Sequence, residues 1–395
     1  MIALLVSLAA GAEVQAVSTT VVQARPDMLG DVFVPLRQSL WGQGQFGGVA
    51  IEGYGDLAWS AGVDREVLPE MYVLAADGGG ATVDWTVGRH RIDLPTFGRM
   101  LDGGRIGWSP NDVVRVEAWA GHARHVGLDG FASGAPLVRA AASYRRQRFS
   151  STLGAWAELG DAANVHTDLR ARWQDVRSRV RPDVAVLGSV ALGGDEPAFE
   201  RLRFDAGLRP VSGVDVRVWG EHREVAAPVS ALGQSILAAF APDGVDELGA
   251  GVGFTDTRRD QLWVEGGVQS WIAAADEDPS TGFTGQVSWR PTCGASTWCL
   301  SPGWRAASGP GGVYHAVSAN LAVPTPHPVA LAVHGVVVPF RKPFLAWDTA
   351  VAVGATVGLE PAEAVWSLRL GGEVARDTTA TVSPRGWLAF RMETP

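Results

Sequence analysis

Lysine is nearly missing from this 395-residue chain: Lys342 is the only one, and the rest of the 33 basic side chains are arginine. Charge of either sign is sparse, at 19% of residues, and the net charge of −9 excludes the basic footprint of a nucleic-acid-binding protein. Cysteine is limited to Cys293 and Cys299, too few for a disulfide-built scaffold and, with no further ligands nearby, for a zinc site. No GxSxG elbow and no glycine loop opening a helix occurs, and none of the 8 histidines has Ser and acid neighbours in a recognisable spacing. No enzyme, cofactor or metal is therefore expected. Long apolar runs are absent too, since nothing beyond the N-terminus approaches the ~18 residues of a membrane helix. Yet 46% of the residues are hydrophobic, 49 are glycine and 16 are tryptophan. The apolar content must be dispersed.

Residues 1–12, MIALLVSLAAGA, form a short apolar segment ending small-x-small at Ala10-Gly11-Ala12, the pattern of a cleavable export signal. Residues 13–47 are read as a periplasmic lead-in and 48–395 as the main domain. Export fits a disulfide between Cys293 and Cys299, which enclose five residues between turn formers and could be bridged in an oxidising compartment.

From about residue 48 the apolar positions recur at every second residue, the period of a half-buried strand. Val165, Thr167, Leu169, Ala171 and Trp173 share one face, against His166, Asp168, Arg170, Arg172 and Gln174 on the other. Leu202, Phe204, Ala206 and Leu208 stand in the same way against Arg201, Arg203 and Asp205. Strands are predicted at 48–59, 67–75, 80–92, 104–108, 111–122, 137–148, 151–160, 164–175, 182–193, 199–209, 213–224, 247–256, 261–272, 281–290, 311–323, 328–340, 344–358, 363–371 and 385–392. The segments at 67–75 and 104–108 are the weakest, which puts the expected total at 16 to 18. Most have the length that a tilted strand needs to cross a bilayer, ~10 residues.

Either a soluble sandwich or a transmembrane antiparallel up-and-down β-barrel could hold so many strands. In a barrel the polar positions turn inward: Arg115, Arg139, Arg145, Arg170, Arg172, Arg201, Arg203, Arg217, Arg223 and Arg369, with Glu117, Glu158, Asp168, Asp205, Asp215, Glu221, Glu265 and Asp348. Trp59, Trp108, Trp156, Trp173, Trp271, Trp289 and Trp347 fall near strand ends, as aromatic belts at two membrane interfaces would. The all-β barrel is the reading adopted.

At residues 86–108, Val87-Gly88-Arg89-His90-Arg91 closes one strand and Leu101-Asp102-Gly103-Gly104-Arg105-Ile106-Gly107-Trp108 opens the next. This pairing resembles the alginate-export-like group of outer-membrane porins, whose strand end reads Gly-Arg-Gln; here His90 takes the Gln position. The resemblance implies a monomeric barrel of about 18 strands in the outer membrane of a Gram-negative bacterium. It also implies an arginine-rich pore for small hydrophilic solutes, anions included, with Arg89, Arg91 and Arg105 lining it. An equal alternative for these three is an interface role, on lipid phosphate or turn carbonyls.

Passive diffusion through a water-filled lumen is the expected function, with outer-membrane lipid and a small hydrophilic solute as the partners. The other readings are a blocked structural or adhesive barrel and a secreted soluble β-sandwich that binds carbohydrate. Residues 230–240 have helical spacing and sit in the longest gap between strands. His166 is read as a lumen residue, and His122 and His125 as belonging to an exposed loop.

Overall fold

The structure, a computed structural model, describes residues 13–26, 32–46, 48–61, 67–93, 98–127, 130–159, 164–192, 197–224, 244–272, 280–293, 297–310, 312–342, 346–361, 365–376 and 382–393. These residues form strands and the turns between them, with no helix among them. The strands are β1 (Glu13–Pro26), β2 (Val32–Phe46), β3 (Val49–Ala61), β4 (Val67–Gly79), β5 (Val83–Asp93) and β6 (Gly98–Trp108). Next come β7 (Val114–Gly127), β8 (Gly130–Arg146), β9 (Phe149–Glu158), β10 (Asn164–Gln174), β11 (Asp183–Ala191) and β12 (Ala198–Val211). β13 (Val214–Arg223), β14 (Gly244–Thr255), β15 (Gln261–Ile272), β16 (Ser280–Arg290) and β17 (Cys299–Gly309) follow. The last five are β18 (Gly312–Val323), β19 (Val329–Arg341), β20 (Trp347–Leu359), β21 (Trp366–Arg376) and β22 (Val382–Glu393).

Each strand pairs antiparallel with its neighbour in sequence, and β1 also pairs with β22, from Val17 opposite Glu393 to Ala24 opposite Gly386. The sheet is thereby closed into an up-and-down barrel. Its 22 strands exceed the expected 16 to 18. Both discounted segments are full strands, β4 and β6, and β1, β2 and β17 had no predicted counterpart. β1 and β2, which fall in the 13–47 segment read as a lead-in, thus belong to the wall. In β1 both faces carry Val and Thr, so the polarity contrast that marks a strand is small, and in β2 Gln38 and Trp41 interrupt the alternation of Leu36 and Leu40 against Arg37, Ser39 and Gln43. β17, CLSPGWRAASG, is broken up by Pro302 and small residues, and its ladder with β16 starts only at Gly303, just past the proline that has no N–H to donate. The export signal expected at 1–12 and the helix expected at 230–240 lie outside the described residues.

Which face points inward follows from curvature. One recess touches side chains from Glu52 on β3 to Arg170 on β10, and only the concave side of a curved sheet can bring so many strands together. The opposite face carries Leu153, Leu169, Leu202, Phe204, Leu248, Val268, Val353 and Leu370, all exposed. Such a continuous apolar surface suits lipid rather than water. Trp108, Trp173, Trp289 and Trp347 are exposed on this outer face near strand ends, as an interfacial belt requires. Trp156 and Trp271 depart from the expected belt and turn inward; Trp156 is buried, its ring stacked 3.7 Å from that of His166. The Trp59 side chain lies outside the description.

Turns follow from local chemistry. The β12–β13 turn is closed at Ser212-Gly213, where Gly213 takes φ +82°, a left-handed conformation costly for other residues. Between β6 and β7, the Asn111 side chain accepts from the N–H groups of Val113 and Val114. Cys293 and Cys299 form a disulfide in the β16–β17 connection, their Cα atoms 5.7 Å apart. His122 and His125 lie within β7 rather than in a loop.

Leu169 sits at mid-strand on the outer face of β10. Leu169→Arg is expected to cost roughly 2–4 kcal/mol of stability in lipid, read by guanidinium titration of vesicle-reconstituted protein.

Candidate functional site

The inner wall from β5 to β13 carries the charge. On β5 to β7 two acids and two arginines form a square: Arg105 reaches Asp84 at 2.8 Å and Glu117 at 3.3 Å, and Arg115 reaches Asp84 at 2.7 Å and Glu117 at 2.8 Å. On β12 and β13, Arg201 and Arg203 share Glu221 at 3.0 and 3.1 Å, while Arg203 and Arg217 share Asp205. Nearer the β12–β13 turn, Arg209 holds Asp215 at 2.7 Å, and Arg172 pairs with Asp183 across β10 and β11. Alternating signs satisfy most of these groups within the wall itself.

Arg139 and Asp168 are different because they are buried. Their 3.1 Å ion pair bridges β8 and β10 across β9, with side chains 6% and 0% exposed. The bridge crosses Gly154, where any Cβ would collide with both groups, so this glycine lets the pair form. The Nε and Nη1 atoms of Arg139 have no partner among the described residues, while its guanidinium lies 5.4 Å from the centroid of the Trp119 ring. Together with Arg91, Arg105 and Arg170, Arg139 lines a recess of about 630 Å³ that also contains Glu52, Asp77 and Glu117.

Beside it, Glu200 is almost fully buried, accepting from Ser189 at 2.6 Å and facing His166 Nδ1 at 2.8 Å. A bulge places it there: the β11–β12 register shifts between Ser189 and Val190, so both Glu200 and Arg201 turn inward. Ser, His and Glu thus stand together, but the serine donates to the carboxylate rather than to the imidazole, and the cluster is sealed from water. It serves as a polar core, joined through the Trp156 ring stacked on His166 to the apolar cluster of Ile92, Leu101, Ala123 and Leu137.

Of the residues singled out in the sequence, Arg105, Arg139, Arg145, Arg170, Arg172, Arg201, Arg203, Arg217, Arg223, Asp168, Asp205 and Asp215 occupy inward positions in the strand alternation. Arg91 borders the recess. Arg89 departs from expectation. It lies on the outer face, in step with Val87, where Asp102 holds it at 2.5 Å and Arg124 at 2.6 Å. Strand parity is the reason: Thr86, His90 and Ile92 are buried on the inner side, and Arg89 keeps step with exposed Val87 on the other. Asp84 and Asp183 were missed although they obey the alternation; Glu200 was missed because a bulge breaks it.

Across the lumen, β17 to β22 offer Ser301, Ser318, Asn320, His334, Thr356 and Trp387 around a second recess of about 660 Å³, in which Glu360 and Arg369 are the charged members. Charge of both signs is therefore concentrated on one wall rather than divided by sign between opposite walls. Among the described residues no group of three or more His, Cys, Asp or Glu could hold a metal ion.

Comparisons agree with this geometry at the level of the fold. No family model matches the sequence, and no curated protein is similar to it. The structure resembles the P pilus usher (PapC) translocation pore with a TM-score of 0.55 and 9% identity, covering 96% of this chain and 99% of the other. It also resembles Pseudomonas aeruginosa OccK5 (OpdH), with a TM-score of 0.53, 7% identity and coverage of 97% and 98%. The shared architecture is a closed antiparallel β-barrel. At such identities the likeness shows the fold alone, and it does not single out the alginate-export-like group. For Acinetobacter baumannii OccAB3 the barrel covers 97% of this chain and 99% of the other at a TM-score of 0.50 and 8% identity.

Removing Arg139 would strand Asp168 in a buried site. Arg139→Ala is expected to lower stability by roughly 3–5 kcal/mol, the cost of an uncompensated buried charge, and Asp168→Asn added to it should recover part of that loss in a denaturant-based double-mutant cycle.

Proposed function

We propose that the protein is an outer-membrane channel through which small hydrophilic solutes, anions included, diffuse down their gradients. The observation that carries this reading is the closed wall of 22 strands with an apolar outside and a charged inside. Strands spaced ~4.8 Å apart and tilted ~40° give such a wall a backbone radius of about 22 Å for a circular section, wide enough for water after side chains are added. The described residues outside the strands belong to the connections between them. One chain supplies the whole wall, which supports a monomer. The longest connection, 224–243 between β13 and β14, marks its end of the barrel as the external one, because periplasmic turns are the shorter set.

Selectivity should be weak. The β3–β10 recess sets four arginines against three acids, and most other arginines are paired. A slight preference for anions follows, strongest where Arg170 faces the lumen.

Reconstituted into a planar bilayer, the protein is expected to give ohmic conductance steps and, in a gradient near 0.1 M salt where screening extends only ~10 Å, a reversal potential slightly towards the anion. Arg170→Gln should move that potential towards cations. Silent insertion would overturn the open channel, and a strong cation preference in the unmodified protein would overturn the anion preference.

A further inference from the structure

The lumen carries a feature that ion passage does not use. On β14, Gly249, Gly251 and Gly253 occupy successive inward positions. Trp219 of β13 stands directly opposite Gly249, and Trp263 of β15 directly opposite Gly253. Both indoles lie down on this strand from either side: a Cβ at Gly249 would run into the Trp219 ring, and one at Gly251 or Gly253 into the Trp263 ring. Each ring is also pinned at its polar edge. Trp219 Nε1 donates to Glu247 at 3.1 Å, and Trp263 Nε1 donates to Glu265 at 2.6 Å. Gln269 in turn donates to Glu247 at 3.1 Å, fixing that carboxylate.

Backed by glycine and held by its N–H, each indole lies half-buried on the inner face. Trp263 borders a recess of about 590 Å³ with Asp205, Asp215 and Arg217. The Arg217 guanidinium lies over the Trp219 ring, 5.7 Å from its centroid, a donor that a ligand on this surface would share. The part of each ring left open to an aqueous passage costs hydration unless a ligand covers it. The matching ligand has a flat C–H face for the rings and a rim of hydroxyls for the carboxylates, the amide and the guanidinium. Those are the features of a pyranose.

We propose that Trp219 and Trp263 form a binding track for a neutral oligosaccharide along the inner face of β14. The proposal names a solute class for the channel and rests on that reading. Gly249 and Gly253 lie four steps apart along the strand, about 14 Å at the ~3.4 Å rise of an antiparallel strand, so the track is longer than one sugar ring. Glu247, Glu265 and Asp215 along it disfavour uronic-acid chains, whose carboxylates would be repelled.

The test uses maltohexaose on single channels of the full-length protein. The expected result is a concentration-dependent block of the ionic current that glucose does not reproduce and that an oligogalacturonate of equal length produces more weakly. Trp219→Ala with Trp263→Ala should weaken the block at least about tenfold, which corresponds to ~1.4 kcal/mol. Trp219→Phe and Trp263→Phe keep an aromatic surface and should fall between; they decide the matter if the double alanine variant fails to assemble. A conducting channel that maltohexaose does not block, a stronger block by oligogalacturonate, or equal block of the aromatic-free variant would overturn the proposal while leaving the channel intact. If the protein inserts silently, the channel reading falls by itself, and a maltohexaose titration of tryptophan fluorescence in detergent, compared between the parent and the Phe variants, still decides whether the track binds.

Discussion

Backbone hydrogen bonding is the constraint from which the rest follows. In hydrocarbon an unpaired N–H or C=O costs several kcal/mol, so a sheet facing lipid can have no free edge. Pairing of β1 with β22 meets that requirement with one chain. Once the sheet closes, each strand has an outside and an inside, and the two-residue period sends Leu, Val and Phe one way and Arg, Asp and Glu the other. The enclosed space, its charge and its accessible side chains are consequences of closure.

Inside, the wall must keep many charges at modest cost. Most do so as exposed or half-exposed pairs, where solvent screens them and each contributes little. Arg139 and Asp168 instead lie under the lumen surface beside an apolar cluster, where each depends on the other. Glycine makes room for this arrangement at Gly154, as it does for the indoles on β14. The glycine excess in the composition has its purpose here: it lets large inward side chains lie against the wall instead of filling the passage.

The alternation in NVHTDLRARWQ and FERLRFDAGL was legible because charged and apolar residues differ so sharply in hydration that their period is visible without any structure. β1 was not legible, since Val and Thr on both faces blur the same signal, and in β2 Gln38 and Trp41 interrupt it. Arg89 was misassigned by the local motif it belongs to, whereas parity with Val87 puts it outside. Glu200 could not be read at all: a bulge reverses its face, and a bulge depends on pairing with β11.

The sequence by itself determined that this is an all-β chain with a two-faced wall, because side-chain hydration is a property of each residue and its neighbour two positions on. The number of strands, the closure of β1 on β22, the burial of the Arg139–Asp168 pair and the laying of Trp219 and Trp263 on glycines were decided only by tertiary structure. Each depends on which residues a closed curve brings side by side across strands, and no local period encodes that.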